Sequence, residues 1–330
     1  MKLFFTEENL TSLSDKESKI LTAIKDNLLL AEGVHEVFNP DKADAIIIQE
    51  ENSFKNFRYI KNLELDELVS AYPEKVFTIN SDDCATGLLR GLYTSLPSYK
   101  YNPNIHALVP YMHFPNEYIN AEHSDQQTPV YLAGWRGNIN SNSLRPKMVS
   151  LLETKSDFCI EKTDSWLNHD EDEKKAYVNV IRASKFSLCP AGWVPVSFRI
   201  YESMALGRCP VILADDFVPP NGPDWRDFAL FYPEKELGGL PSFLRRNEYL
   251  AMGMGKSALE AWRKYFSSDV INQYYANTLL TLLRQSPVTT KEAELKRWKS
   301  LSMYWKNEWT LPQRVLNKLN YKYGTSSFKA

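Results

Sequence analysis

Arg199 and Glu202 stand three residues apart, a spacing that on a helix turns a guanidinium and a carboxylate to one side. They lie inside an informative run from Ser184 to Leu213. Phe186–Cys189 is apolar, Pro190–Pro195 carries proline and glycine, Ser197 opens a helical pattern ending at Gly207, and Cys209–Leu213 is apolar again. That order reads as strand, loop, helix and strand. The free backbone N–H groups at the helix start, around Ser197 and Phe198, suit an anion. Pro190 and Gly192 shape the loop, and Gly192 lets its backbone come close to a ligand. Arg199 can fork onto a diphosphate through two parallel charge-assisted bonds, and Glu202 can accept from two ribose hydroxyls. The chemistry described is a grip on a nucleoside diphosphate. The plainer alternative is an ion pair between Arg199 and Glu202 on an exposed helix face.

The elements around this run must hold it in place. In the first third, Leu3–Phe5, Val34–Phe38, Ala45–Ile48 and Val76–Ile79 read as strands, and the continuous run Ala45-Ile46-Ile47-Ile48 suits a strand covered on both faces. Ser14 and Glu17 form a capping box ahead of Ile20, Leu21, Ile24 and Leu28, and Leu63–Ala71 reads as a helix ended before Pro73. A second cycle follows the polar stretch Asn116–Thr128: strands at Val130–Ala133 and Phe158–Ile160, and helices at Leu144–Leu152 and Glu171–Ala183. Strands alternating with helices favour parallel sheets. Two Rossmann-like halves are expected, at 1–115 and 128–290, joined by that polar linker.

Composition narrows the class. The 330 residues are 43% hydrophobic and 24% charged, with 39 Lys plus Arg against 41 Asp plus Glu, so a disordered chain is excluded and no global positive field points to nucleic acid. Cys84, Cys159, Cys189 and Cys209 are too widely spaced for a metal knuckle or a CxxC redox pair. The first residues turn acidic after one short apolar run, which reads as neither signal peptide nor membrane anchor, and a soluble, cytoplasmic protein is expected. The segment 291–330 differs: nine basic residues face three acidic ones, interleaved with Trp298, Tyr304, Trp305, Trp309, Tyr321, Tyr323 and Phe328. It is expected to pack as a helical tail on the N-terminal domain, with peripheral contact to an anionic membrane as the other reading.

Ser184, Phe186, Leu188, Pro190 and Gly192, then Ser197, Arg199 and Glu202, then Gly207, Pro210, Val211 and Ile212 match in order and spacing the donor-binding pattern of the exostosin glycosyltransferases. The chain resembles that family strongly over residues 129–250 and loosely over 76–115. Tyr131-Leu132-Ala133-Gly134-Trp135-Arg136 and the later Arg145 resemble the family's upstream strand end and helix arginine. Asp215, Pro219, Pro220 and Asp224-Trp225 resemble the loop beyond the last strand. Ala191 departs from a frequent arginine, Ser203 from an alanine, and His106 stands where the family usually has aspartate.

The resemblance implies a GT-B fold, two Rossmann-like domains facing each other across a cleft. It also implies an inverting transfer of a sugar from a nucleotide-sugar donor, with UDP the usual nucleotide, and no metal or other cofactor. Gly134, Arg136, Arg145, Pro190, Gly192, Ser197, Phe198, Arg199 and Glu202 are the donor-binding residues it points to. Arginines and a helix N-terminus can neutralise a leaving diphosphate in place of a divalent ion. Inversion needs a base for the acceptor hydroxyl, and Asp83, after the strand Val76–Ile79, and His113 are the candidates. The acceptor is expected to be a growing glycan or a lipid-linked oligosaccharide at the inner face of a membrane. Two other functions remain: a catalytically inactive sugar- or nucleotide-binding scaffold, and a metal-dependent transferase using Asp170 and Asp172. The run Asp170-Glu171-Asp172 also suits an acidic helix start.

Overall fold

A run as apolar as Ala45-Ile46-Ile47-Ile48 needs cover on both faces, and it receives it. In the computed structural model, which describes residues 1–6, 15–50, 58–83, 85–112, 116–119, 128–163 and 170–307, β1 (Lys2–Phe5), β2 (His35–Glu36), β3 (Ala45–Glu50), β4 (Val76–Asn80), β5 (Arg90–Tyr93) and β6 (His106–Leu108) form one sheet in the order β2-β1-β3-β4-β5-β6. Every pairing is parallel, and all of β3 is buried. β5 was not anticipated from the sequence. Gly91 makes it possible: its φ is 147°, and a Cβ there would meet the Thr78 carbonyl oxygen at 2.0 Å, so only glycine lets β5 lie against β4.

Helix α1 (Asp15–Leu29) precedes β2; Ser14 of the expected capping box lies outside the described residues. The single helix expected at Leu63–Ala71 is instead two, α2 (Tyr59–Leu65) and α3 (Glu67–Ala71). Asp66 is the reason. Its backbone is extended and its carboxylate accepts from the Val69 N–H at 2.8 Å, capping α3.

The second sheet contains β7 (Tyr131–Gly137), β8 (Phe158–Lys162), β9 (Ser184–Pro190), β10 (Cys209–Leu213) and β11 (Leu230–Phe231), ordered β11-β10-β9-β7-β8 and again wholly parallel. Helices α4 (Leu144–Leu152), α5 (Glu171–Arg182), α6 (Phe198–Ala205), α7 (Leu240–Arg246) and α8 (Ala251–Ala261) accompany it. Trp135, Met148, Leu152, Phe186, Leu188 and Leu213 lie at its core.

The chain divides into two units, 1–109 with 271–330, and 110–270. This corrects the expected boundaries at both ends. The chain leaves the first unit at Val109, before the polar stretch Asn116–Thr128. Asn116 already belongs to the second unit, donating through Nδ2 to the Lys174 carbonyl at 3.1 Å, and Tyr118 and Ile119 pack on Val178, Ile181 and Leu206. At the other end α9 (Ile271–Gln285), expected in the second domain, packs on α1 and β5 of the first. Its apolar face, with Ile271, Tyr275, Leu279 and Leu282 buried, is what joins it there.

Beyond α9 come α10 (Lys291–Trp298) and α11 (Leu301–Asn307). Trp298 is fully buried in the first unit's core with Ile48, Val76 and Leu88. Tyr304 is half exposed. Trp309, Tyr321, Tyr323 and Phe328 of the expected aromatic tail lie outside the described residues. Among the described residues no helix is long and apolar enough to cross a membrane.

Candidate functional site

The candidate site is built wholly within the second unit, on the ends of β7 and β9 and the first turns of α4 and α6. Ser197 is the N-cap of α6: its backbone is extended and its Oγ accepts from the Arg199 N–H at 3.3 Å. That start fixes the helix so that Arg199 and Glu202 both turn inward. They are 6% and 3% exposed, which corrects the reading of an exposed ion pair.

Arg199 passes over two aromatic faces. Its guanidinium carbon lies 5.5 Å from the Trp135 ring centroid and 5.0 Å from that of Tyr177. Nη2 donates to the carbonyl of Arg136, while Nε, buried, has no hydrogen-bond acceptor among the described residues. Glu202 takes its hydrogen bond from the Tyr177 hydroxyl, at Oε2. Burial raises the Glu202 carboxyl above its usual range, although that bond and Arg199 both favour the charged form. Burial likewise lifts the Tyr177 phenol well above its usual value.

Arg145, from the first turn of α4, arrives at the same indole, 5.9 Å from the Trp135 centroid. Its Nε donates to the Ala191 carbonyl and its Nη1 to the Asn138 carbonyl, each at 3.0 Å. Both partners are neutral. Burial, reinforced by the charge of Arg199, pulls the Arg145 guanidinium down to about 10. Two cations thus share one aromatic plate, and the hydrogen bonds that hold them end on main-chain oxygens. Two cations here, one buried and one half-buried, have the single carboxylate of Glu202 beside them, and the excess positive charge suits a further anion.

The β9–α6 loop is tied to this pair. Besides the Arg145 bond at Ala191, Asn142 donates through Nδ2 to the Gly192 carbonyl at 3.0 Å, and the Gly192 N–H donates to the Val194 carbonyl at 3.0 Å. A Cβ on Gly192 would stand 3.2 Å from Arg145 Nη2. Glycine therefore gives the loop room beside the cation, as its spacing in the sequence suggests.

Other expected donor residues have different work. Arg136 is held by two carboxylates, Glu161 at 2.5 Å and Glu173 at 3.7 Å, so its charge is already matched; what it gives the site is its carbonyl. Gly134 is buried in β7, where a Cβ would meet Ser184 Oγ at 2.2 Å, making it a strand-packing position. Pro190 ends β9, buried in register with Leu213. Phe198 lays its ring on Tyr111, with centroids 4.1 Å apart. Among the candidate bases, Asp83 is exposed on the turn after β4 in the first unit, and His113 lies outside the described residues.

Asp170 is the N-cap of α5, accepting from the Glu173 N–H at 2.8 Å. No group of three His, Cys, Asp or Glu side chains suited to hold a metal occurs among the described residues. Cys189 is buried near Ser187 and Ser203, and burial pushes its thiol up to about 12, so it is no nucleophile at neutral pH.

Three contributors escaped the sequence reading: Trp135 as the shared plate, Tyr177 as the partner of Glu202, and Asn142 as the loop anchor. The turn-rich run Asn138-Ile139-Asn140-Ser141-Asn142-Ser143 carried a signal for the last. Tyr177 sits on a helix face whose neighbours, Val178 and Ile181, read as ordinary core.

Comparison with known proteins gives short, consistent matches. A probable glucuronoxylan glucuronosyltransferase of Arabidopsis thaliana is 37% identical over 93 residues, 25% of this chain and 21% of that protein. A probable beta-1,4-xylosyltransferase of the same plant is 36% identical over 75 residues, 22% of this chain and 18% of that protein. The chain spans about a fifth of the length of the curated relatives it matches. A solved alpha1,3-fucosyltransferase superposes on 88% of this chain and 92% of its own, with a TM-score of 0.39 at 12% identity. The exostosin GT47 domain model matches residues 68–246, more than half of the chain and the whole of the Arg145–Arg199–Glu202 constellation, and the chain belongs to that family.

Proposed function

We propose that this chain is an inverting glycosyltransferase that takes its sugar from a nucleotide-diphosphate donor, with UDP as the nucleotide. The observation that carries the reading is the pair Arg145 and Arg199, one guanidinium half-buried and one buried over the same indole, with main-chain oxygens as their hydrogen-bond partners. A diphosphate supplies the missing negative charge, and family membership supports that ligand.

In the reaction the acceptor hydroxyl attacks the anomeric carbon, the bond from that carbon to the diphosphate oxygen breaks, and a base receives the hydroxyl proton. The nucleoside diphosphate leaves with both electrons of the broken bond. Arg145 and Arg199 stabilise the charge that grows on it, in surroundings where water competes little. Glu202, oriented by the Tyr177 hydroxyl, accepts from a ribose hydroxyl. Asp83 remains the proposed base. The acceptor is proposed to be a glycan or a lipid-linked oligosaccharide.

Binding and turnover test the reading separately. UDP at a hundred times its dissociation constant should add about 2.7 kcal/mol to stability, a visible rise in melting midpoint. UDP-glucuronic acid and UDP-xylose, offered with oligosaccharide acceptors, should turn over equally with and without EDTA. Abolition by EDTA would favour metal-dependent chemistry, binding without turnover would favour the scaffold, and no binding of UDP would end the donor reading.

A further inference from the structure

Gly137 is the last residue of β7, two positions after Trp135, and residues two apart on a strand share a face. It therefore lies on the side where Arg199 meets the indole. A Cβ at this glycine would stand 3.1 Å from Trp135 Cζ2 and 3.3 Å from Arg199 Nη2. No backbone demand explains the missing side chain, because its φ is outside the left-handed region. Neither side of the contact is free to retreat. The Gly137 main chain is in register with Lys162 of β8, and its carbonyl accepts from the Thr163 N–H at 3.0 Å. Arg199 is packed on the rings of Trp135 and Tyr177, with Nη2 on the carbonyl of Arg136, the residue before Gly137. Trp135 is buried in the core of its sheet. An exposed arginine would swing aside from a methyl group; this one gives way only by leaving those contacts.

We infer, resting on the donor reading above, that Gly137 is a positioning residue for the leaving diphosphate: its missing side chain is what lets the Arg199 guanidinium settle on the end of β7. Gly192 leaves the same kind of room beside the other cation, where a Cβ would stand 3.2 Å from Arg145 Nη2. Each arginine of the pair thus has a glycine against its Nη2. Gly134 has a different reason to be small, since its Cβ would strike Ser184 Oγ at 2.2 Å. A cation that stabilises a leaving group works only from the right place, and a shift of about an ångström is enough to weaken it.

The test is a double-mutant cycle of Gly137→Ala with Arg199→Ala on the full chain, read by calorimetry with UDP and with inorganic pyrophosphate. Gly137→Ala alone should weaken both probes to the same extent, roughly tenfold. In the Arg199→Ala background the same substitution should change neither affinity, since the nitrogen it displaces is gone. An undiminished cost without Arg199 would mean that Gly137 serves β7 in general, and would overturn the inference. Unchanged affinity in Gly137→Ala would overturn it too, as would a loss for UDP with none for pyrophosphate. If the methyl group lowers the melting midpoint, the drop should shrink once Arg199→Ala clears the space; a drop of equal size in both backgrounds would count against the positioning role. A wild type that binds neither probe would end the donor reading and this role with it, whereas each other adverse result leaves the donor reading standing.

Discussion

Arg145 and Arg199, 54 positions apart in the chain, hold their guanidinium carbons 5.9 Å and 5.5 Å from the centroid of the same Trp135 ring. The indole is the least polar way to keep two cations close, because its face attracts both without neutralising either. A carboxylate in that place would satisfy the arginines and close the site to phosphate. Glu202, on the same helix, takes its hydrogen bond from Tyr177 and meets Arg199 only through space, while Glu161 and Glu173 pair with Arg136.

Arg199→Lys should therefore weaken UDP binding nearly as much as Arg199→Ala. An ammonium keeps the charge but has no second parallel donor and no flat face for Trp135 and Tyr177. The expected loss is roughly 1.5–3 kcal/mol, about tenfold to a hundredfold in affinity. Calorimetry on folded variants measures it. Lysine binding UDP as tightly as arginine would show that charge alone matters; alanine doing so would remove Arg199 from the phosphate.

Glu202→Gln and Tyr177→Phe should act in the same direction on ribose recognition. The first removes the charged acceptor, and the second frees the carboxylate that its hydroxyl orients. Each should narrow the preference for UDP over 2′-deoxy-UDP, since a site built around a hydroxyl penalises its absence through an unpaired buried acceptor. The ratio of the two dissociation constants is the measurement. A wild type that binds both nucleotides equally would release Glu202 from the ribose.

The strand, loop and helix that carry Arg199 were legible because β9 and β10 are continuous apolar runs and Ser197 is a strong cap. Arg145 and Gly192 were legible from spacing and resemblance, and the structure brings them together. Arg136 and Gly134 do not gather with that pair, for a physical reason. Adjacent residues of a strand point to opposite faces, so the run Gly134-Trp135-Arg136 puts only Trp135 on the face where the two arginines gather. Gly134 is spent on contact with Ser184, and Arg136 meets acids from β8 and α5. Nothing local in the sequence announces a partner 25 or 37 positions away. The boundary expected at 290 falls instead at 270 for a similar reason: α9 reads as an amphipathic helix in either unit, and only packing decides which core its apolar face joins.

His106 makes the stability of the first unit depend on pH. It is buried on β6, its Nδ1 accepts from the Asn102 N–H at 3.1 Å, and burial together with the charge of Arg297 pulls its imidazole down to about 3. Above the ordinary histidine value, near 6.5, folded and unfolded chains are both neutral there. Below it the unfolded chain takes up a proton that the native site refuses, so stability falls as pH drops from about 6.5 toward 3. The slope reaches at most about 1.4 kcal/mol per pH unit. His106→Gln keeps an acceptor for Asn102 and should lose this slope. Urea melts of both proteins at pH 7 and pH 5 would show it, and parallel losses would mean that His106 is not the titrating group.

Trp298 supplies the last prediction, because it decides what the basic tail is for. Its ring is fully buried with Ile48, Val76 and Leu88, more than 200 positions earlier in the chain. The helix carrying it is pinned on both sides. Arg297 donates to the Leu88 carbonyl at 2.6 Å and pairs with Glu294, while Lys291 donates to the Ala71 carbonyl at 3.1 Å. The exposed pair of Lys299 with Glu64, at 2.9 Å, should matter little, within about 1 kcal/mol. Trp298→Ala removes a large ring from a closed core and should cost about 3–5 kcal/mol, a large part of a typical stability of ~5–15 kcal/mol. Deleting 291–330 should destabilise the protein at least as strongly, since it removes the ring and its pins together. A tail that served only to touch membranes predicts the opposite: a truncation that melts cooperatively at the original midpoint and loses salt-sensitive attachment to anionic vesicles. That pair of results would refute the packing role; a midpoint lowered by both Trp298→Ala and the deletion, with Lys299→Ala unchanged, is the outcome that the burial of Trp298 requires.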